Sequence, residues 1–375
     1  MELKTEDKRN YGIDLLRLLA MYMVIVLHIL GIGGILESCE KFSLNYYVAW
    51  LLETMAYCAV DVFAMISGYV MVKANFNVFN IIPLWFTVYF YSSIITFLFK
   101  FIPSFTALHQ VTNLELIKGL IIPICSRQYW YFTAYFGIFF FIPFVNKLLN
   151  SLKRNEFLIL CLIIITVYTI FPVFGLKIYD TFFFGGGCTS IWLLCCYIIG
   201  AFFKIYPLNF TKKKCIMLYF IAIFFAWFSR FISHIILKYF FLLDKELNLF
   251  IDYTSIFIIV SGIALLLFFS QLKINKYFLK KIITYATSLS FSIYLIHVHP
   301  IVFNFVLNNR FSNFAFLNPF FLILKVIFIA FVIFIICMII DSFRYCIFYF
   351  LKINCIPKLL YKKHSKIRMF LQGLN

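Results

Sequence analysis

Ten apolar stretches, each about as long as a bilayer is thick, dominate this sequence and leave it few ways to fold. They run Gly12–Ile35, Tyr47–Val72, Val78–Phe101, Tyr129–Leu149, Phe157–Phe174, Thr189–Tyr206, Cys215–Leu237, Leu249–Gln271, Ile283–Val306 and Pro319–Asp341. A membrane-crossing helix needs about 20 mainly apolar residues. Lipid offers nothing to an unpaired peptide group, so such stretches become helices. The composition agrees: 64% of the residues are hydrophobic and only 13% charged, against roughly half and a quarter in a soluble domain. The sequence therefore predicts an all-α, polytopic integral membrane bundle of about ten transmembrane helices, set in the cell (plasma or inner) membrane. The first stretch contains Arg17 and His28 and lacks a small-residue cleavage site, so it is expected to stay attached as the first helix.

The net charge of +18 sits in the short segments between apolar stretches. Lys and Arg on alternate sides number 22 and 8, with Arg17, Arg230 and Lys325 inside the stretches. The richer side holds both ends of the chain, which predicts cytoplasmic termini by the positive-inside rule. The basicity is thus a matter of membrane orientation and lipid contact, and nucleic acid is not an expected partner. Residues 1–345 read as the transmembrane domain and 346–375 as a basic cytoplasmic tail on the anionic inner leaflet. On the outer side, the segment around Glu115 and Lys118 is expected to form a short interfacial helix. The 11 cysteines lie mostly inside apolar stretches without metal-ligand spacing, so no metal site is expected. Gly185-Gly186-Gly187 lacks the Lys-Ser/Thr of a phosphate loop.

Charged and titratable side chains at membrane depth are costly and call for an explanation. In the first helix, Arg17 and His28 are eleven residues apart, about three full turns, so they share a face roughly 16 Å apart along the axis. Asp14 precedes Arg17 by one turn, well placed for an ion pair. Two readings are open from spacing alone. In one, Asp14 and Arg17 anchor the helix at the inner surface and His28 bonds a neighbouring helix. In the other, His28 accepts a proton from a hydroxyl near neutral pH. Asp61, Ser67 and Tyr69 lie in the second stretch, where Ser67-Gly68 permits close helix approach. Arg230 and His234 are one turn apart; they either meet an acceptor or pair with Asp252. His297 sits near the outer end of the ninth helix, with interfacial anchoring as its default. Trp130 and Tyr131 open the fourth, where an aromatic belt is the plain reading.

The segment Gly12-Ile-Asp14-Leu-Leu-Arg17 through His28 resembles the opening of the membrane-bound acyltransferase 3 family, marked by Arg, ten residues, then His. Val60-Asp61 through Ser67-Gly68-Tyr69, Tyr129-Trp130-Tyr131 through Pro143-Phe-Val-Asn146, Ile191-Trp192 to Gly200, and Tyr294-Leu-Ile-His297 resemble later family segments in the same order. The resemblance implies a ten-helix O-acyltransferase with no permanently bound cofactor. Its donor is cytoplasmic acyl-CoA, usually acetyl-CoA, and its acceptor a carbohydrate hydroxyl outside. It further implies His28 as catalytic base and Arg17 as its partner in donor binding or site structure, with Asp14, Asp61, Ser67 and Tyr69 as supporting candidates. Trp130, Tyr131, Arg230, His234 and His297 are candidates on the acceptor side. One departure stands out. Many members carry arginines just after the Ser-Gly-aromatic segment, whereas here Lys73-Ala-Asn-Phe-Asn-Val-Phe-Asn80 offers one Lys, which leaves open how the donor is held. The alternative activity is transport or flipping of a lipid-linked sugar. Oligomeric state is not readable from the sequence.

Overall fold

The structure, a computed structural model, describes residues 9–174, 180–241 and 250–364. Lys4, Lys8, Lys177, Lys245 and the tail from 365 onward, which entered the charge count, lie outside the described residues, as do the side chains of His234 and Lys238. The described chain is helical throughout. Its main helices are α1 (Tyr11–Leu30), α2 (Leu44–Tyr57), α3 (Ala59–Met71), α4 (Ile81–Phe101), α5 (Asn113–Leu120), α6 (Trp130–Phe139) and α7 (Ile142–Ser151). They continue as α8 (Arg154–Ile165), α9 (Ser190–Ile205), α10 (Lys212–Phe241), α11 (Ile256–Ser270), α12 (Tyr277–His297), α13 (Pro319–Phe350) and α14 (Ile356–Lys363).

Every expected apolar stretch is helical, but not every one is a full span. Among the described residues, six helical segments are long and apolar enough to cross a membrane, or up to eight if each of two bent pairs is one span. The bent pairs are α6 with α7, at 62°, and α12 with Val302–Phe316, at 71°. Pro143 lies just past the first bend and Pro300 within the second, where a missing N–H and a fixed ring oppose straight continuation. The remaining two, α9 and α11, have 16 and 15 residues, about 24 and 22 Å of rise. A hydrocarbon layer is about 30 Å thick. By length and composition, the described residues thus hold six to eight candidate spans and two shorter apolar helices. The last helix also runs past Asp341 to Phe350.

Helix α1 is the hub, packed against α2, α3, α11, α12 and α13. Its start is fixed twice. The Asn10 side chain accepts from the N–H groups of Gly12 and Ile13, capping the helix, and donates to Ser270 O at 2.8 Å. A Cβ on Gly12 would lie 2.0 Å from Phe269 O, so only glycine lets α11 pass this close. The tightest crossing, α3 on α9, follows the same logic. A Cβ on Gly68 would fall 1.9 Å from Tyr197 O, and one on Gly200 2.0 Å from Met65 O. Reciprocal glycines let the two backbones touch, as small residues do between membrane helices.

Polar contacts lock the surrounding helices. Asn146 Nδ2 donates to Met71 O at 2.9 Å and Tyr197 O–H to Asn146 Oδ1 at 2.7 Å. The Pro143-x-x-Asn146 segment thereby gives the Met71 carbonyl at the end of α3 a second donor beside the Ala74 N–H at 3.1 Å. Arg344, counted among the inner-side basic residues by sequence, is buried. It binds Asp341 through two 2.7 Å bonds, and Asp341 also accepts from Tyr91 O–H at 2.6 Å. Lipid-facing sides carry the apolar surplus, as in α13 with Phe320, Ile327, Phe331 and Ile340 exposed.

Candidate active site

A cavity of about 400 Å³ lies among α1, α3, α4, α6 and α12, with Arg17 and His28 both in its wall. The stripe expected on α1 thus faces one space. Ser67, Trp130 and Tyr131 also line it, together with Tyr135, Tyr253, Ser288 and Tyr294.

His28 is held from one side. Its Nδ1 lies 3.1 Å from Nε2 of His297, and Nδ1 of His297 is hydrogen-bonded to Ile293 O. A carbonyl can only accept, so His297 Nδ1 carries a proton. A neutral imidazole then presents a lone pair at Nε2, and His28 must donate to it from Nδ1. The proton on Nδ1 leaves the Nε2 of His28 as an acceptor. Phe303 sets the tilt of the ring by an edge contact at 5.0 Å. His297 itself is 2% exposed, so it is not the interfacial anchor that its place near a helix end suggests. Three residues separate it from Tyr294, one helical turn, which puts both on the site-facing side of α12.

At the other end of the stripe, Asp14 Oδ1 lies 3.5 Å from Arg17 Nη1, and its second oxygen binds Arg9 Nε. One buried carboxylate therefore orients two guanidinium groups. The ion pair expected between Asp14 and Arg17 is present, with Arg9 as a partner that spacing did not suggest.

Other candidates stand apart. Asp61, fully buried, accepts from Trp192 Nε1 at 3.0 Å and from Cys196 Sγ at 3.6 Å, between α3 and α9. It does not line the cavity. Tyr69 lies outside it as well, with Lys204 Nζ 5.5 Å from its ring. Ser67 faces the cavity while its hydroxyl donates back to Phe63 O at 3.0 Å. Arg230 sits over the Trp50 ring at 3.3 Å and donates to Tyr46 O–H at 3.3 Å, away from the cavity. The side chain of His234 is outside the described residues.

Sequence reasoning missed Tyr253 and Tyr135 and left Tyr294 as a motif letter. Tyr253 reaches the cavity because Gly187 opposite it has φ +95°, and a Cβ there would meet Tyr253 Cβ at 2.5 Å. The glycine run is thus a left-handed turn that clears room for an aromatic side chain. The Tyr294 hydroxyl oxygen accepts from Tyr131 N–H at 3.2 Å, so its own proton is left to be donated elsewhere. Among the described residues, no three His, Cys, Asp or Glu gather as a metal would require.

Long apolar helices around a cavity lined by one imidazole and one guanidinium define a multi-pass membrane protein. Residues 10–341 match a family model described as "Acyltransferase domain", nearly the whole chain, and the protein belongs to that membrane-bound acyltransferase 3 family. It is an acyltransferase of the plasma membrane, and membership implies an acyl-CoA-type donor. Neither a curated protein nor a solved structure matches the chain.

Proposed function

We propose that the protein moves an acetyl group from cytoplasmic acetyl-CoA to a hydroxyl of an extracytoplasmic carbohydrate, such as a surface polysaccharide. The observation that carries this reading is the shared cavity of Arg17 and His28, with His28 turned by His297 into the tautomer that accepts a proton at Nε2. In this reading the basic ends of the helices face the cytoplasm, all ten apolar helices contribute to crossing the bilayer, and both termini are cytoplasmic.

The donor's pantetheine arm enters past Arg17 and brings its thioester toward His28. The acceptor oxygen attacks the thioester carbonyl as its proton passes to His28 Nε2. The tetrahedral intermediate bears a negative oxygen, to which the Tyr294 O–H in the cavity wall donates. Collapse breaks the carbon–sulfur bond. The departing thiolate takes the proton back from His28, leaving an ester, free CoA and a neutral imidazole. Trp130, Tyr131 and Tyr253 supply ring faces for the acceptor sugar. Asp14 acts on Arg17 by orientation. Asp61 and Tyr69 act at a distance, through helix packing.

The test is transfer of labelled acetyl from acetyl-CoA to cell-envelope glycan by membranes containing the protein. Wild-type membranes are expected to produce base-labile label, and membranes holding folded His28→Ala none. Undiminished transfer by that variant would overturn the assignment of His28. Ester-free glycan from cells that express the protein would overturn the acceptor class.

A further inference from the structure

A second cleft, of about 280 Å³, opens at the end of the bundle where α12 begins, between the starts of α1 and α12 and the distal part of α13. Its wall includes Tyr11, Lys280, Lys281, Thr284, Ser288 and Tyr345, and among the described residues no acidic one lines it. Ser288 also lines the Arg17–His28 cavity, so the two spaces adjoin at one side chain. Lys281, Thr284 and Ser288 are spaced to share one face of α12. Two turns of that face, roughly 10 Å, lead from the cations to the cavity.

The cations form a line. Lys280 Nζ and Arg9 Cζ flank the Tyr11 ring at 5.4 and 5.7 Å. Arg9 then meets Asp14, and Asp14 meets Arg17. Orientation in the membrane accounts for lysines at this end, but not for a concave site with hydroxyl and aromatic walls that joins the reaction cavity. The loop after α3, residues 72–80, holds a single cation, Lys73.

We propose that this cleft binds the nucleotide end of the donor, a 3′-phosphorylated adenosine diphosphate, with Lys280 and Lys281 on its phosphates and Tyr11 or Tyr345 beside the adenine. Lys280 and Lys281 hold the phosphates while the pantetheine arm runs along the Thr284–Ser288 face into the cavity. This inference rests on the acyl-CoA reading above, but names residues and a ligand end that the reading does not require.

The experiment uses the full chain in nanodiscs of uncharged lipid. Acetyl transfer is measured from acetyl-CoA and from acetyl-pantetheine, which lacks the nucleotide. In the double variant Lys280→Ala/Lys281→Ala, KM for acetyl-CoA is expected to rise about tenfold or more, the scale of losing charge-assisted phosphate contacts. The kinetics with acetyl-pantetheine should not change. Adenosine 3′,5′-bisphosphate should compete with acetyl-CoA in the wild type and lose that effect in the variant. An unchanged KM for acetyl-CoA overturns the proposal, as does an equal loss with both donors, which marks a structural role. Loss, in the variant, of anionic phospholipid binding measured in parallel nanodiscs that contain phosphatidylglycerol, with KM intact, overturns it in favour of a headgroup site. If wild type transfers from neither donor, the acyl-CoA reading fails. Binding of the bisphosphate, followed directly by calorimetry, then decides the cleft on its own.

Discussion

His28 and His297 are 269 positions apart in the chain and are joined ring to ring by a single 3.1 Å nitrogen–nitrogen contact. Because His297 also leans on the carbonyl of Ile293, the contact has a direction, and one proton position on each ring follows. His297→Ala removes the acceptor that fixes the tautomer. We expect kcat to fall on the order of 10²–10⁴-fold, the scale of misplacing a catalytic base, with KM for acetyl-CoA little changed. His297→Gln keeps an acceptor oxygen and should recover part of the loss. Equal initial rates for the Ala and Gln variants would show that His297 only fills space.

Arg17 shares Asp14 with Arg9, so its charge is retained by lysine while its planar fork is not. Arg17→Lys is expected to lower kcat/KM for acetyl-CoA by about 10- to 100-fold, and Arg17→Ala by more. Initial-rate kinetics on protein of equal monodispersity will show this. A lysine variant indistinguishable from wild type would mean that point charge alone suffices.

Gly200 faces the Met65 carbonyl at a distance where a methyl group collides with backbone. Gly200→Leu should force α3 and α9 apart and cost more than about 3 kcal/mol, beyond ordinary overpacking. The expected signs are low yield and a lowered melting temperature in detergent. A wild-type melting temperature would mean that the helix crossing is looser than described.

The Asp341–Arg344 pair is buried, with Tyr91 as a third member. Arg344→Ala strands a carboxylate and is expected to cost about 3–5 kcal/mol. Adding Asp341→Asn to that variant should return part of the loss, because a neutral amide is cheaper to bury alone. Thermal unfolding of the single and double variants measures both. No recovery in the double variant would argue against the stranded charge as the cause.

Outside the membrane, Thr112 and Glu115 close a capping box at the start of α5, and His109 joins the same carboxylate at 3.1 Å. Partial burial pushes the Glu115 carboxyl up, but hydrogen bonds from the Thr112 backbone and hydroxyl and from His109 outweigh it, so its pKa lies below the ordinary value. A depressed carboxyl stabilises fully above its unfolded pKa of about 4.3 and loses that contribution as pH falls through the folded value. Amide exchange in α5 should therefore show constant protection from neutral pH down to about 5 and weaken in stronger acid. Glu115→Gln should show the weakened protection already at neutral pH. Identical protection in that variant would remove the carboxylate from the cap.

The stripe from Arg17 to His28 was legible because both lie on one helix, where a fixed turn per residue converts spacing into direction. The Asp14 pair was legible for the same reason. The role of Ser67-Gly68 in close packing was legible from residue size. The role of His297 was not, since nothing in its neighbourhood on α12 says which distant helix it meets. Asp61 drew attention as an intramembrane acid, yet its partners Trp192 and Cys196 come from another helix and turn it toward packing. Hydropathy windows likewise could not separate full spans from the shorter α9 and α11, because apolar composition continues past helix ends into apolar turns.

By itself the sequence determined the solvent, the helical class and the chemistry available on each helix, because those follow from hydropathy and from the local geometry of one backbone. Only the tertiary structure decided which helices contribute to the cavity, which tautomer His28 adopts and that the lysines of α12 line a cleft adjoining that cavity at Ser288. Those relations depend on contacts between residues far apart in the chain, and such contacts are set by how the helices pack, which no local pattern encodes.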